Sequence, residues 1–88
     1  MYKVVLKKEQ LELLKKVRDA LTRIEEIKEN GGNVEIYISE DKIEDLMDDI
    51  SLDVADYGMD DAQEWLNKFG IQLTALYDEI QYQVKNNN

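Results

Sequence analysis

Apolar residues recur along this chain with two different periods, and the period changes three times. Tyr2, Val4 and Leu6 alternate with Lys3, Val5 and Lys7, the period of two that marks a short strand. Then the period lengthens. Leu13, Leu14, Val17, Ala20, Leu21, Ile24 and Ile27 fall on one face at helical spacing. Glu12/Lys16, Lys15/Asp19 and Asp19/Arg23 stand at i,i+4 on the opposite face, where opposite charges support a helix. This predicts a long helix from about Lys8 to Glu29. Asn30-Gly31-Gly32-Asn33 would end it, because glycine takes the left-handed C-terminal cap cheaply. Val34, Ile36 and Ile38 next alternate with Glu35, Tyr37 and Ser39, a second, half-buried strand. Strand, long helix, strand reads as a βαβ unit with parallel strands and a right-handed crossover. Antiparallel pairing, with the helix packed across the strands, is the second reading.

Two more helices follow. Ser39 is a candidate cap for the first, with Glu40 and Asp41 in its opening turn. Ile43, Leu46, Met47, Ile50, Val54 and Tyr57 form its apolar face, and Gly58 ends it. Asp60 with Gln63 resembles a capping box for the last helix. Ala62, Leu66, Phe69, Leu73, Leu76, Ile80 and Val84 keep one unbroken phase there, with Trp65 and Tyr77 alongside. That continuity predicts a helix from Asp61 to about Lys85, passing through Gly70 at a cost of about 1 kcal/mol. No repeat, linker or proline marks a boundary. The expectation is one α+β domain over residues 1–88.

Composition narrows the chemistry. Apolar residues make up 43% of the chain, too many for a disordered tail. No apolar run approaches the roughly 20 residues needed to span a bilayer, and no signal-peptide pattern is present. Without cysteine there is no disulfide framework, so the expected location is the cytoplasm. Without histidine or cysteine, zinc sites, Cys–His pairs and Ser–His–Asp triads are excluded. No motif assembles the remaining carboxylates, lysines and tyrosines into a reactive site, so neither an enzyme nor a cofactor is expected.

The net charge of −9 is concentrated in one segment. Residues 40–64 carry eleven Asp/Glu against Lys42 alone, a balance of −10, whereas residues 1–30 carry eight Lys/Arg against six Asp/Glu. Such a domain repels nucleic acid and anionic membranes and attracts basic protein surfaces. On the second helix Asp41, Asp45, Asp48 and Asp56 lie opposite the apolar stripe, with Glu44, Asp49 and Asp53 flanking. Asp60, Asp61 and Glu64 continue the charge. Leu52 sits within this face as a candidate apolar anchor, with the carboxylates steering the approach. Like charges at i,i+4, such as Asp41/Asp45, work against the helix, so the cluster calls for a reason beyond folding. On the last helix Ile71, Ala75 and Tyr82, together with Asp78, form a weak second stripe suited to self-association, which would make a homodimer.

Asp53 to Glu64 imitates an EF-hand loop in length and in Gly58 at position 6, but Ala55 and Tyr57 stand where oxygen ligands are required. No calcium site is expected. The lysines and arginines are interleaved with acids and match no nucleic-acid-binding motif, so direct nucleic-acid binding is not expected either. In size, acidity and lack of catalytic residues the chain is similar to phage-encoded inhibitors of host nucleases, including anti-CRISPR proteins that act as DNA mimics. The likeness is compositional and assigns no residue. It implies that the 40–64 carboxylates occupy a Lys/Arg-lined groove on a nucleic-acid-binding protein. The competing expectation is a self-associating structural or adaptor protein whose acidity serves solubility alone.

Overall fold

The structure, a computed structural model, describes residues 1–62 and 65–86. Its elements are β1 (Tyr2–Lys7), α1 (Lys8–Lys15), a 3-10 turn (Ala20–Arg23), β2 (Glu26–Asn30), β3 (Asn33–Ile38), α2 (Ile43–Tyr57) and α3 (Lys68–Asn86). The class is α+β, as the alternating periods imply. The sheet, however, has three antiparallel strands in the order β1-β3-β2. Antiparallel pairing of β1 with β3 replaces the parallel βαβ arrangement.

The β1–β3 register sets Tyr2 against Ile38, Val4 against Ile36 and Leu6 against Val34. Alternation therefore places five aliphatic residues, Val4, Leu6, Val34, Ile36 and Ile38, on one buried face. Helices α1 and α3 pack against the sheet, and α2 packs against α3 and the 3-10 turn. Leu11, Leu14, Leu46, Ile50, Leu73, Leu76 and Ile80 complete the core. Among the described residues no helix is long and apolar enough to cross a membrane.

The long first helix is corrected. It stops at Lys15, and Asp19 takes a left-handed conformation with φ 66°. Val17 and Ala20 remain buried, so the apolar face is used, but on a crossing segment rather than on a helix. Residues 26–30 become β2, and Gly31-Gly32 is a two-residue hairpin loop joining it to β3. Gly31 has φ 65° at the first central position, where a type II′ hairpin turn requires glycine. Pairing with β3 decides the competition, because a third strand stabilises a sheet that two strands leave marginal.

Helix α2 begins at Ile43, so Glu40 and Asp41 lie in the preceding turn, closed by Lys42 N–H donating to Ser39 O at 3.0 Å. Glu44 and Asp45 occupy its first turn instead. Helix α3 begins at Lys68, not Asp61, and Gln63 of the anticipated capping box lies outside the described residues. The cap is Asn67. Its Oδ1 accepts the Gly70 N–H at 2.8 Å, while its Nδ2 donates to Tyr57 O at 2.8 Å and Met59 O at 3.1 Å. One side chain thus starts α3 and satisfies carbonyls at the end of α2. Asn67→Ala should cost about 2 kcal/mol, the upper end of the N-cap range. Asn67→Asp should fall between, keeping the acceptor and losing both donors. Urea denaturation checks the order, and a loss for Asn67→Ala within error of zero would show these bonds to be idle.

As the apolar phase requires, α3 runs through Gly70, and the fold supplies the reason for a glycine there. Gly58 and Gly70 touch backbone to backbone: a Cβ on Gly70 would run into Gly58 O, and one on Gly58 would lie 2.8 Å from Gly70 Cα. At the other end of α3, Gln83 closes the outer edge of β1. Its Oε1 accepts the Val5 N–H at 2.7 Å and its Nε2 donates to Val5 O at 2.8 Å.

Candidate protein-binding face

The carboxylates of α2 form two rows with different surroundings. Asp49 and Asp53, expected to flank the outer face as part of the binding set, are buried, only 9% and 4% exposed. Asp49 Oδ2 accepts Arg23 Nε at 2.9 Å, and Asp53 Oδ2 accepts the Arg18 backbone N–H at 3.3 Å. Arg18 Nη2 also donates to the Tyr57 hydroxyl at 2.9 Å. Residues 16–23 cross over this side of α2 and lay both arginines against it. Asp49 in turn holds the Arg23 guanidinium above its ordinary pKa, chiefly through that hydrogen bond. These two aspartates therefore hold the fold together and leave the binding set.

The outer row is different. Glu44, Asp45, Asp48 and Asp56 are exposed, and Leu52 is 60% exposed among them. Asp48 and Asp56 stand four residues before and after Leu52, hence directly beside it on the helix surface. Arg23 Nη1 reaches Asp45 at 3.8 Å. Glu44, Asp48 and Asp56 have no ion pair within 4 Å among the described residues. Asp41 is exposed in the turn before α2; after it, Asp60 is half-buried and Asp61 exposed. Glu64 lies outside the described residues.

Depressions flank this ridge on both sides. Between α2 and α3 runs a groove of about 400 Å³ with Ile43, Met47, Tyr77 and Val84 among its lining and Glu44 and Asp48 at its α2 side. On the other flank a cleft of about 120 Å³ is lined by Arg18, Asp19, Asp49, Leu52, Asp53 and Asp56. The outer carboxylates thus border apolar surface as well as solvent. Asp53 lies within α2, so the EF-hand-like stretch begins on a helix rather than in a loop.

Ile71, Ala75 and Tyr82 are exposed along α3, as a helix through Gly70 requires, with Asp78 between them. The residue missed by sequence reasoning is Trp65. Assigned to the apolar phase of a helix, it is instead 71% exposed, in a segment folded back by a Met59–Leu66 bridge and by Asp60 N–H donating to Trp65 O at 2.7 Å. The signal was available in its acidic neighbours Asp60, Asp61 and Glu64, which do not suit a buried turn of helix.

The open sheet face is polar and mixed in charge. Glu35 accepts from the Tyr37 hydroxyl at 2.8 Å and from Asn30 Nδ2 at 3.2 Å, and Lys28 Nζ lies 5.2 Å from the Tyr37 ring centre. The Tyr37 bond, then the Asn30 bond, hold the Glu35 carboxyl below its ordinary pKa. A depressed carboxylate contributes stability that is present above its unfolded-state pKa and lost as pH falls through the folded value. Hairpin β2–β3 should therefore loosen in acid, below about pH 4, seen as faster amide exchange. Tyr37→Phe should flatten that dependence; an unchanged profile would show the bond to be without effect.

No protein-family model, no curated protein and no solved structure matches this chain.

Proposed function

We propose that this is a non-enzymatic protein-binding domain that acts as a nucleic-acid mimic, an inhibitor of the anti-CRISPR kind, occupying the basic groove of a nucleic-acid-binding protein. Asp41, Glu44, Asp45, Asp48, Asp56, Asp60 and Asp61 supply the charge and Leu52 the anchor. One observation carries this reading. Asp49 is buried against the Arg23 guanidinium and Asp53 against the Arg18 backbone N–H, while Glu44, Asp48 and Asp56 stand exposed around Leu52 with no ion pair within 4 Å among the described residues. An exposed leucine flanked by carboxylates offers an apolar anchor onto which charge can steer a basic partner. From Glu44 to Asp56 the helix rises about 18 Å and presents four outer carboxylates. One DNA strand carries roughly five phosphates over that length. The charge density is comparable.

Competition tests the proposal. Nucleic acid added to a captured basic target should displace this protein, this protein should displace nucleic acid, and capture should weaken steeply with salt. Capture that is independent of salt and indifferent to nucleic acid would overturn it. The second reading, a self-associating adaptor, draws on the exposed Ile71 and Tyr82 of α3.

A further inference from the structure

We infer that β2 is a homodimerisation edge, on which two copies pair antiparallel, β2 to β2, about a two-fold axis at Ile27. This surface is separate from the outer row of α2 and goes beyond the mimic reading.

Of the two outer edges of the sheet, the β1 edge is closed by Gln83, whereas all five residues of β2 are exposed. The backbone groups available there follow from the ladder. The hairpin closes on the Asn30–Asn33 pair, so alternation makes Asn30–Asn33 and Lys28–Glu35 the hydrogen-bonded pairs of β2 and β3. Ile27 and Glu29 are left with N–H and C=O directed outward. The far side of β3 agrees. Val5, which faces Glu35 in the register, spends its own N–H and C=O on Gln83 rather than on β3.

In a new antiparallel pair these outward-facing residues must form the hydrogen-bonded positions, which leaves three central registers on β2. A two-fold at Lys28 sets lysine against lysine, and one at Glu29 sets glutamate against glutamate. A two-fold at Ile27 sets the two Ile27 side chains, each 42% exposed, against each other. It also places Glu26 of each copy opposite Lys28 of the second copy. Opposite charges directly across strands stabilise a pair and like charges destabilise it, so of the three only the Ile27 register sets opposite charges beside its axis. Glu25, which that register brings opposite Glu29 of the second copy, is drawn toward Lys42 at 3.8 Å. The same edge charges that discourage arbitrary strands therefore admit this one, a discrimination by charge pattern. The contact is short, well under the roughly 1,600 Å² of a standard interface, and the dimer is accordingly concentration-dependent.

Sedimentation velocity from micromolar to millimolar protein, at physiological salt, tests this. The unaltered protein should show a monomer–dimer equilibrium. Glu26→Lys and Lys28→Glu should each weaken it about tenfold or more, since each replaces two attractive pairs with two repulsive ones. Combined in one chain they should restore it. The two single variants, mixed, should form a one-to-one heterodimer. Ile27→Pro should abolish association without touching the β3 ladder, because it removes an outward N–H. Both charged positions are exposed, and far-UV circular dichroism confirms that each variant folds. A monomer at every concentration, a single variant associating at full strength, or a mixture that stays monomeric would each overturn the inference. None of these outcomes bears on the acidic face of α2.

Discussion

Gly70→Ala should destabilise this protein by about 3 kcal/mol or more, the upper end of overpacking costs, although alanine is the better helix former by about 1 kcal/mol. Propensity and packing predict opposite signs here, and the geometry decides between them. The added methyl would meet the Gly58 carbonyl, which is backbone and has no rotamer to yield. A domain of this length has a total stability on the order of 4–13 kcal/mol, so the variant should unfold at much lower urea with an unchanged slope. Gly58→Ala should behave similarly, because its Cβ would approach both Gly70 Cα and Val54 O at 2.8 Å. Gly32→Ala is the control, with nothing within 4 Å of the added carbon. A Gly70→Ala variant more stable than the parent would show that α2 and α3 do not meet in this way.

Reversing Asp45, Asp48 and Asp56 together to lysine should reduce capture of a basic target by at least about a hundredfold, mostly through slower association, since steering alone spans 10–10³. Each position is exposed, so each reversal should change stability by about 0.5 kcal/mol or less. Asp45 lies within reach of Arg23 and should be the least neutral of the three. Asparagine at the same positions should weaken capture less, because attraction is removed without repulsion being added. Leu52→Ala should instead speed dissociation. Asp49 does not belong in this set: lysine there would place an ammonium beside Arg23 at a buried site and disrupt the fold. A folded triple reversal with unchanged affinity would remove the mimic reading and leave the adaptor.

Where local periodicity and global packing agree, the sequence was legible. β1, β3, α2 and α3 from Lys68 onward followed from apolar spacing, which however carried the start of α3 seven residues too far, to Asp61. The segment from Lys16 to Asn30 was not, because Ile24 and Ile27 continue the helical phase of Leu13 and Leu21 while their backbone is claimed by Val34 and Ile36 across the hairpin. Asn-Gly-Gly-Asn is compatible with a helix cap and with a two-residue turn, and only the distant strand decides which. The error propagated to the site. Arg23, paired in the sequence with Asp19 along one helix, faces α2 instead, and the Arg18 backbone does the same, so the burial of Asp49 and Asp53 could not be seen. Leu52 and the outer carboxylates Asp45, Asp48 and Asp56 are exposed as expected, since they lie opposite the apolar stripe on a side that segment 16–23 leaves uncovered. Asn67 was overlooked for a related reason. Its two donors serve carbonyls of another element, which no spacing in its own segment reveals.

The Gln83 contact with β1 acts as a chain stopper does in polymer chemistry. A molecule with one reactive edge forms closed pairs, because the second copy uses up the edge that the first one offers. A molecule with two reactive edges adds at both ends and grows into an open filament. Gln83 is itself oriented by Glu79, whose Oε2 accepts its Nε2 at 2.9 Å, so the termination reaction is built into the last turns of α3. Fraying of those turns changes the valence of the sheet from one to two.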